Sequence, residues 1–237
     1  MKKSFYYASL VLTMALTVFT ACGGSDDDDE KGNGDQDPRI SQVIPTKYRS
    51  MLEKYIPIYD GVNPPNVEGV YLKSPNTVYY DYTNQWEAGH KVNDMYYQFS
   101  NQNMSRNTLD YKDTNQSGSS VGVGNGAFIS GDGNNFTIFF LVTQTSKSKE
   151  DASITVTMKQ ATIVSGTKTS EGIKNFYTGF IVTEKGSDPY EEFVDEGDFR
   201  VFRDGDGLAS NASWPTNAPE YVFTRAKVEQ LLDECDK

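Results

Sequence analysis

Nine short segments with no helix-length stretch between them constrain this chain more than any other feature. They are VEGVYLKS, TVYYDY, MYYQFSNQ, TLDYKDT, SVGVGNGAFIS, NFTIFFLVTQT, SITVTMKQATIVSG, NFYTGFIVTEK and FRVFRD, in series from Val67. Each is rich in β-branched and aromatic residues and is bounded by Gly, Asn, Asp, Ser or Pro, the composition of a strand between turns. Gly131-Asp132-Gly133-Asn134-Asn135, between two apolar runs, is the clearest hairpin turn. In the segment that follows, Phe136, Ile138, Phe140 and Val142 take one face, and Thr137, Phe139, Leu141 and Thr143 the other. Phe139 and Leu141 make that second face partly apolar, so the strand is expected to lie between the core and a second covered surface. Without long helices between strands a βαβ arrangement is excluded. The expected fold is mainly β, an antiparallel meander closed into a barrel, with a two-sheet sandwich as the alternative.

A helix is expected on either side of this series. Tyr48, Met51, Leu52 and Tyr55 fall at helical spacing between Pro45 and Pro57, and Val228, Leu231, Leu232 and Cys235 do so behind Thr224. Cys235 then reads as a small buried apolar residue on that face. Residues 39–237 are read as one β-rich domain. The chain is 37% apolar, but 13 Phe and 15 Tyr carry large burial per residue.

The first 38 residues have a different character. Met1-Lys2-Lys3 is a positive leader start, and Phe5 to Phe19 is an apolar run of signal-peptide length. Thr20-Ala21-Cys22 resembles the lipobox of bacterial lipoproteins, with Phe19 where Leu is commoner. That resemblance implies cleavage after residue 21 and lipid on Cys22, which leaves Cys235 without an intrachain disulfide partner. Residues 22–38 follow as a lipidated acidic linker. Gly23 to Pro38 has almost no apolar side chain and reaches ~20–24 Å as a flexible coil. Its Ser25-Asp26-Asp27-Asp28-Asp29 run resembles the sorting signal of surface-exposed lipoproteins of the Bacteroidetes, which implies an outer-membrane, cell-surface location. With Lys2 and Lys3 lost in the leader, 20 basic residues face 33 acidic ones, a net charge of −13. A surface of that sign argues against nucleic acid as a partner and suits a domain held off a membrane by its lipid.

Glu68-Gly69-Val70-Tyr71, after the first helix and at the start of the first strand, resembles the Gly-x-Trp opening of lipocalins, with Tyr71 in place of Trp. The Arg that packs over that Trp in lipocalins is not assignable from this sequence. The resemblance implies an eight-stranded barrel that holds a small ligand. Across the whole chain, the lipidated acidic leader and aromatic β domain resemble the uncharacterised surface lipoproteins of Bacteroides and relatives.

Motifs for chemistry are sparse. His90 is the only histidine and sits in the polar stretch Glu87-Ala88-Gly89-His90-Lys91, so a histidine-based metal site has no partners. There is no Gly-x-Ser-x-Gly nucleophile elbow. Gly122-x-Gly124-x-Gly126 leads into a strand, where phosphate binding requires a helix. Asp204-Gly205-Asp206-Gly207 opens like a calcium loop, but Leu208, Ala209 and Pro215 break an EF-hand pattern. A turn fits it better, with Asp204 and Asp206 as a weak calcium candidate. Asp188, Glu191, Glu192, Asp195, Glu196 and Asp198 are the carboxylates a hydrolase would draw on. No cofactor is expected.

The aromatic residues are the remaining lead. The expected function is non-enzymatic binding of a small apolar or amphipathic ligand, with Tyr71, Tyr80, Trp86, Tyr97, Phe140 and Phe180 as contacts. Phe136 and Phe176 are expected to line the cavity alongside Phe140 and Phe180, while Gly122, Gly124 and Gly179 leave space. The alternatives are a carbohydrate- or protein-binding module that uses exposed rings, and a carboxylate-dependent hydrolase.

Overall fold

The computed structural model describes residues 40–41 and 44–216. The chain divides into two compact units, Met1–Asp35 and Gln36–Lys237, and every described residue belongs to the second. Cys22, the aspartate run and the expected C-terminal helix lie outside the described residues.

Among the described residues a helix, α1 (Thr46–Leu52), precedes eleven strands. These are β1 (Val62–Asn63), β2 (Gly69–Lys73), β3 (Asn76–Asp81), β4 (Met95–Asn103), β5 (Thr108–Asn115) and β6 (Ser120–Asp132). They continue with β7 (Asn135–Lys147), β8 (Thr155–Lys168), β9 (Gly172–Lys185), β10 (Phe199–Asp204) and β11 (Leu208–Asn211). All nine expected segments are strands. The two additional strands, β1 and β11, are two and four residues long, too short to carry an alternating pattern. The strands form one sheet, antiparallel except where β1 lies parallel to β6. From β4 to β9 each strand pairs with the next, and β2 pairs with β4. Beyond β9 the pairing divides: β10 pairs with β9 and β3, while β11 pairs with β9 on one side and β2 on the other.

The alternation along β7 sorts the core into two clusters. Phe136, Ile138, Phe140 and Val142 belong to an aromatic-rich cluster with Tyr71, Tyr97, Phe99, Tyr111 and Phe176. Phe139 points the other way, into a cluster with Ala161, Ile163, Ile181, Phe199 and Val201 that α1 covers with Leu52. Tyr48, Met51 and Tyr55 pack against the same cluster, as their helical spacing predicts. The cover stops there, since Leu141 is 51% exposed although it shares the face of Phe139. Each fully buried Leu, Ile or Phe at this interface contributes about 1.5–3 kcal/mol.

Gly179 belongs to the α1 side. A Cβ there would sit 2.6 Å from Ile56 Cδ1 and 3.1 Å from Leu52 Cδ2, so the glycine makes room for the helix and not for a ligand. On β9, Asn175 adopts φ +50° beside a register shift against β8. This bulge returns Phe176 to the aromatic face three residues after Ile173, a spacing that simple alternation would not give.

Candidate functional site

Cross-strand pairing builds a continuous row on the aromatic face: Tyr71 beside Tyr97, Tyr97 beside Asp113, Asp113 beside Gly122, and Gly122 beside Gln144. Directly paired residues share a face of the sheet. Two acceptable strand formers therefore lead into a buried carboxylate. Tyr97 and Asp113 are 4% and 6% exposed. Lys73, two residues after Tyr71 and thus on the same face, is fully buried.

Lys73 Nζ donates to Thr178 Oγ1 at 2.6 Å. Three rings surround it, with centroids 5.0 Å (Tyr97), 5.6 Å (Phe176) and 5.7 Å (Phe202) from the nitrogen. Burial pushes its pKa down to about 7, against the opposing charges of Asp204 and Asp113. Burial likewise pushes Asp113 up to about 6, against the Tyr111 hydroxyl, the Lys73 charge, the Gly122 N–H and Gln144. Each group is thus displaced toward its neutral form, because a low-dielectric surrounding penalises charge more than these partners repay. Tyr111 donates its hydroxyl to Asp113 Oδ2. Asp113 Oδ1 is buried with no hydrogen-bond partner, as is Thr162 Oγ1. Thr162 joins the same face through its pairing with Phe140 and Phe180. The ring of Phe140 lies 4.3 Å from that of Tyr111.

The interior glycines of β6 are occupied by this arrangement. A Cβ on Gly122 would lie 2.4 Å from Gln144 Oε1 and 2.7 Å from Asp113 Oδ2. One on Gly124 would lie 3.2 Å from the Phe140 ring. The space that these glycines were expected to leave is taken by the chain's own side chains.

Of the six expected ligand contacts, Tyr71, Tyr97, Phe140 and Phe180 share the aromatic face. Tyr80 does not: a register shift in the pairing of β3 with β10 turns it toward the α1 cluster, where it stacks on Tyr55 at 3.9 Å. Trp86 lies beyond β3, its ring 4.0 Å from the Arg200 guanidinium and stacked 5.4 Å from His90. Asp81 organises that corner, accepting from Arg200 Nε at 3.1 Å and from the Trp86 N–H at 3.1 Å. Phe136 and Phe176 are on the aromatic face as expected. Over the Tyr71 ring the cation is Lys168 Nζ, 5.1 Å from its centroid.

Asp204, Asp188 and Glu192 are engaged in holding loops, while Glu191 lines an open depression with Lys185, Asp188, Asp195 and Glu196. Asp204 Oδ1 accepts the N–H groups of Asp206, Gly207 and Leu208 at 3.1–3.2 Å, and Oδ2 accepts that of Ser74 at 3.2 Å. Those oxygens face backbone donors, which ties the β10–β11 turn to the end of β2. Asp188 is fastened by Lys185 at 2.9 Å and by the Phe193 N–H at 3.0 Å. Burial raises its pKa, but Lys185 and the N–H groups of Phe193 and Glu192 hold it below the usual carboxylate range. Glu192 accepts from Ser148 and from the Lys149 N–H. Among the described residues no group of three or more His, Cys, Asp or Glu is placed to hold a metal ion.

Lys73, Asp113, Thr162 and Thr178 were not expected from the sequence. The available signal was their phase: Lys73 alternates with Tyr71, and Asp113 with Leu109 and Tyr111, so each charge stands at an apolar-face position. Comparison of the chain with protein-family models, with curated proteins and with solved structures finds no match.

Proposed function

We propose that this chain is a lipid-anchored, surface-displayed binding protein whose β domain closes into a lipocalin-like barrel around a small amphipathic ligand. Closure is supported by β11, which is bonded to β9 on one side and to β2 on the other. Following neighbours from β2 through β4 to β9 and on to β11 leads back to β2. A single continuous sheet with that connectivity favours a barrel over a sandwich. The aromatic face becomes its interior, and α1 lies on its outside.

The observation that carries the ligand reading is the polar layer within the aromatic face. A buried lysine and aspartate cost stability that an apolar pair would not, and two of the polar atoms in this region are without partners. Native proteins retain such groups where something else meets them, a ligand or an ordered water. The aromatic rings would take the apolar part of the ligand and the Lys73–Asp113 layer its polar head. Cys22 would be the membrane link, and Asp26 to Asp29 would direct the domain to the cell surface.

An apolar fluorescent probe tests the binding. The chain carrying Cys22→Ala, and so free of lipid, should bind the probe while still unfolding cooperatively, because a molten protein also takes up such dyes. A folded chain that binds no apolar probe would remove this reading. The anchor is tested separately: Cys22→Ala should abolish incorporation of labelled palmitate in cells.

A second reading has its own observation. Tyr82, Phe199, Tyr80 and Tyr55 form a run of stacked rings outside the aromatic face, with centroids 5.1, 5.4 and 3.9 Å apart. Tyr82 is 50% exposed. Exposed rings of this kind stack on sugars, so retention on a glycan array with no uptake of apolar probe would favour a carbohydrate-binding module.

A further inference from the structure

We infer that residues 217–237, which follow the described part of the chain, dock as a second helix on the outer face of the sheet, where α1 leaves Leu141 uncovered. Strand register defines that face. Val70, Gln98, Lys112, Val123 and Thr143 pair in turn across β2, β4, β5, β6 and β7, forming one row on the side away from the aromatic cluster. The chain enters this row after β11. The Ala212 N–H donates to the Val70 carbonyl at 2.9 Å. Two residues on, the Trp214 ring centroid lies 4.2 Å from Lys112 Nζ. The chain therefore runs across the strands, from β2 over β4 to β5. Gln98 stands in the row between those two contacts, and its outward Oε1 is buried without a hydrogen-bond partner, so the row is closed over at this end. The same direction leads to Val123 and Thr143, both half-buried, and to Leu141, on the same face two residues before Thr143. Leu141 adjoins the cluster under α1 through Phe139 and through its paired residue Ala161.

The length and pattern of the remaining chain fit this course. Val228, Leu231, Leu232 and Cys235 fall on one helical face behind Thr224. Thr224 to Cys235 as a helix is about 18 Å long, enough to cross about four strands. Residues 217–223 reach up to about 23 Å when extended, against roughly 10 Å from β5 to β7. In isolation this helix is disfavoured. It is short, and Arg225 and Lys227 stand at its N-terminal end with Asp233, Glu234 and Asp236 at its C-terminal end, against its own dipole. It needs a surface to pack on. The connection through Trp214 holds it beside this face at an effective concentration that a separate molecule does not match.

In the Cys22→Ala chain Cys235 is the one remaining thiol, and it reports on the docked face. Its reaction with dithionitrobenzoate should be at least about tenfold slower in the folded chain than in urea. Leu141→Asp puts a charge under the helix and should raise the folded-state rate at least about fivefold, as should Leu231→Asp on the helix itself. Because Leu141 is half exposed on the sheet, its variant should still melt cooperatively. Val62→Asp, at an exposed apolar position on β1, should leave the rate unchanged. Fast reaction of Cys235 in the folded parent overturns the inference, and so does slow reaction that Leu141→Asp leaves unchanged. Protection that increases with protein concentration overturns it in favour of a second copy as the occupant. None of these outcomes depends on whether the barrel takes a ligand.

Discussion

Lys73 is where the chemistry of a single residue departs furthest from its ordinary behaviour. Its folded pKa of about 7 lies below the ordinary lysine value of 10.5. Above that ordinary value the amine is neutral in both folded and unfolded chains and costs nothing. As pH falls toward 7 the unfolded chain takes up the proton and the folded chain does not, so stability is lost over this window and regained on raising the pH. Asp113 works in the opposite sense. Its pKa rises from 3.8 to about 6, so its penalty grows as pH rises between these values and is relieved by acid. Both penalties are present near neutrality. Lys73→Met should therefore gain thermal stability relative to the parent near pH 7, on the order of 2–4 kcal/mol, and lose that advantage by about pH 10. Melting curves of the two chains from pH 6.5 to 10 check this; parallel curves would show that Lys73 is not held neutral by burial.

The elements were more legible than the residues that give them a purpose. Nine strands were readable because each has at least five residues of β-branched or aromatic character between turn formers. The helix was readable because four large apolar residues recur at helical spacing. What the pattern could not carry was the effect of local irregularity. The bulge at Asn175 keeps Phe176 inward, the shifted register of β3 turns Tyr80 outward, and Gly179 serves the outer face. None of these follows from alternation, which assumes one residue opposite one residue. The charged layer was hidden for a related reason: a lysine or aspartate in a strand is normally taken to face water, although phase placed both among the tyrosines. Gly179→Ala tests the element scale, since its methyl would press into Ile56 and Leu52 under α1. Overpacking of this kind costs about 1–3 kcal/mol. The expected result is a lower Tm with faster amide exchange in α1, and unchanged exchange in β4 to β7.

For the molecule as a whole, the proposed function depends on closure and on what the enclosed face holds. β11 is the strand that decides closure, because it touches β9 and β2 together. In a closed barrel the amides of Ala209, Ser210 and Asn211 should exchange about as slowly as those of β7 and β8, whereas an open edge would exchange at least tenfold faster by local fraying. The most direct test of the central claim is the position of a bound amphiphile, read from nuclear Overhauser contacts between its alkyl protons and labelled Phe and Tyr rings of the folded chain. Contacts to Tyr97, Tyr111 and Phe140 are the predicted result. Contacts confined to Tyr55, Tyr80, Tyr82 and Phe199, or none at all, would contradict it.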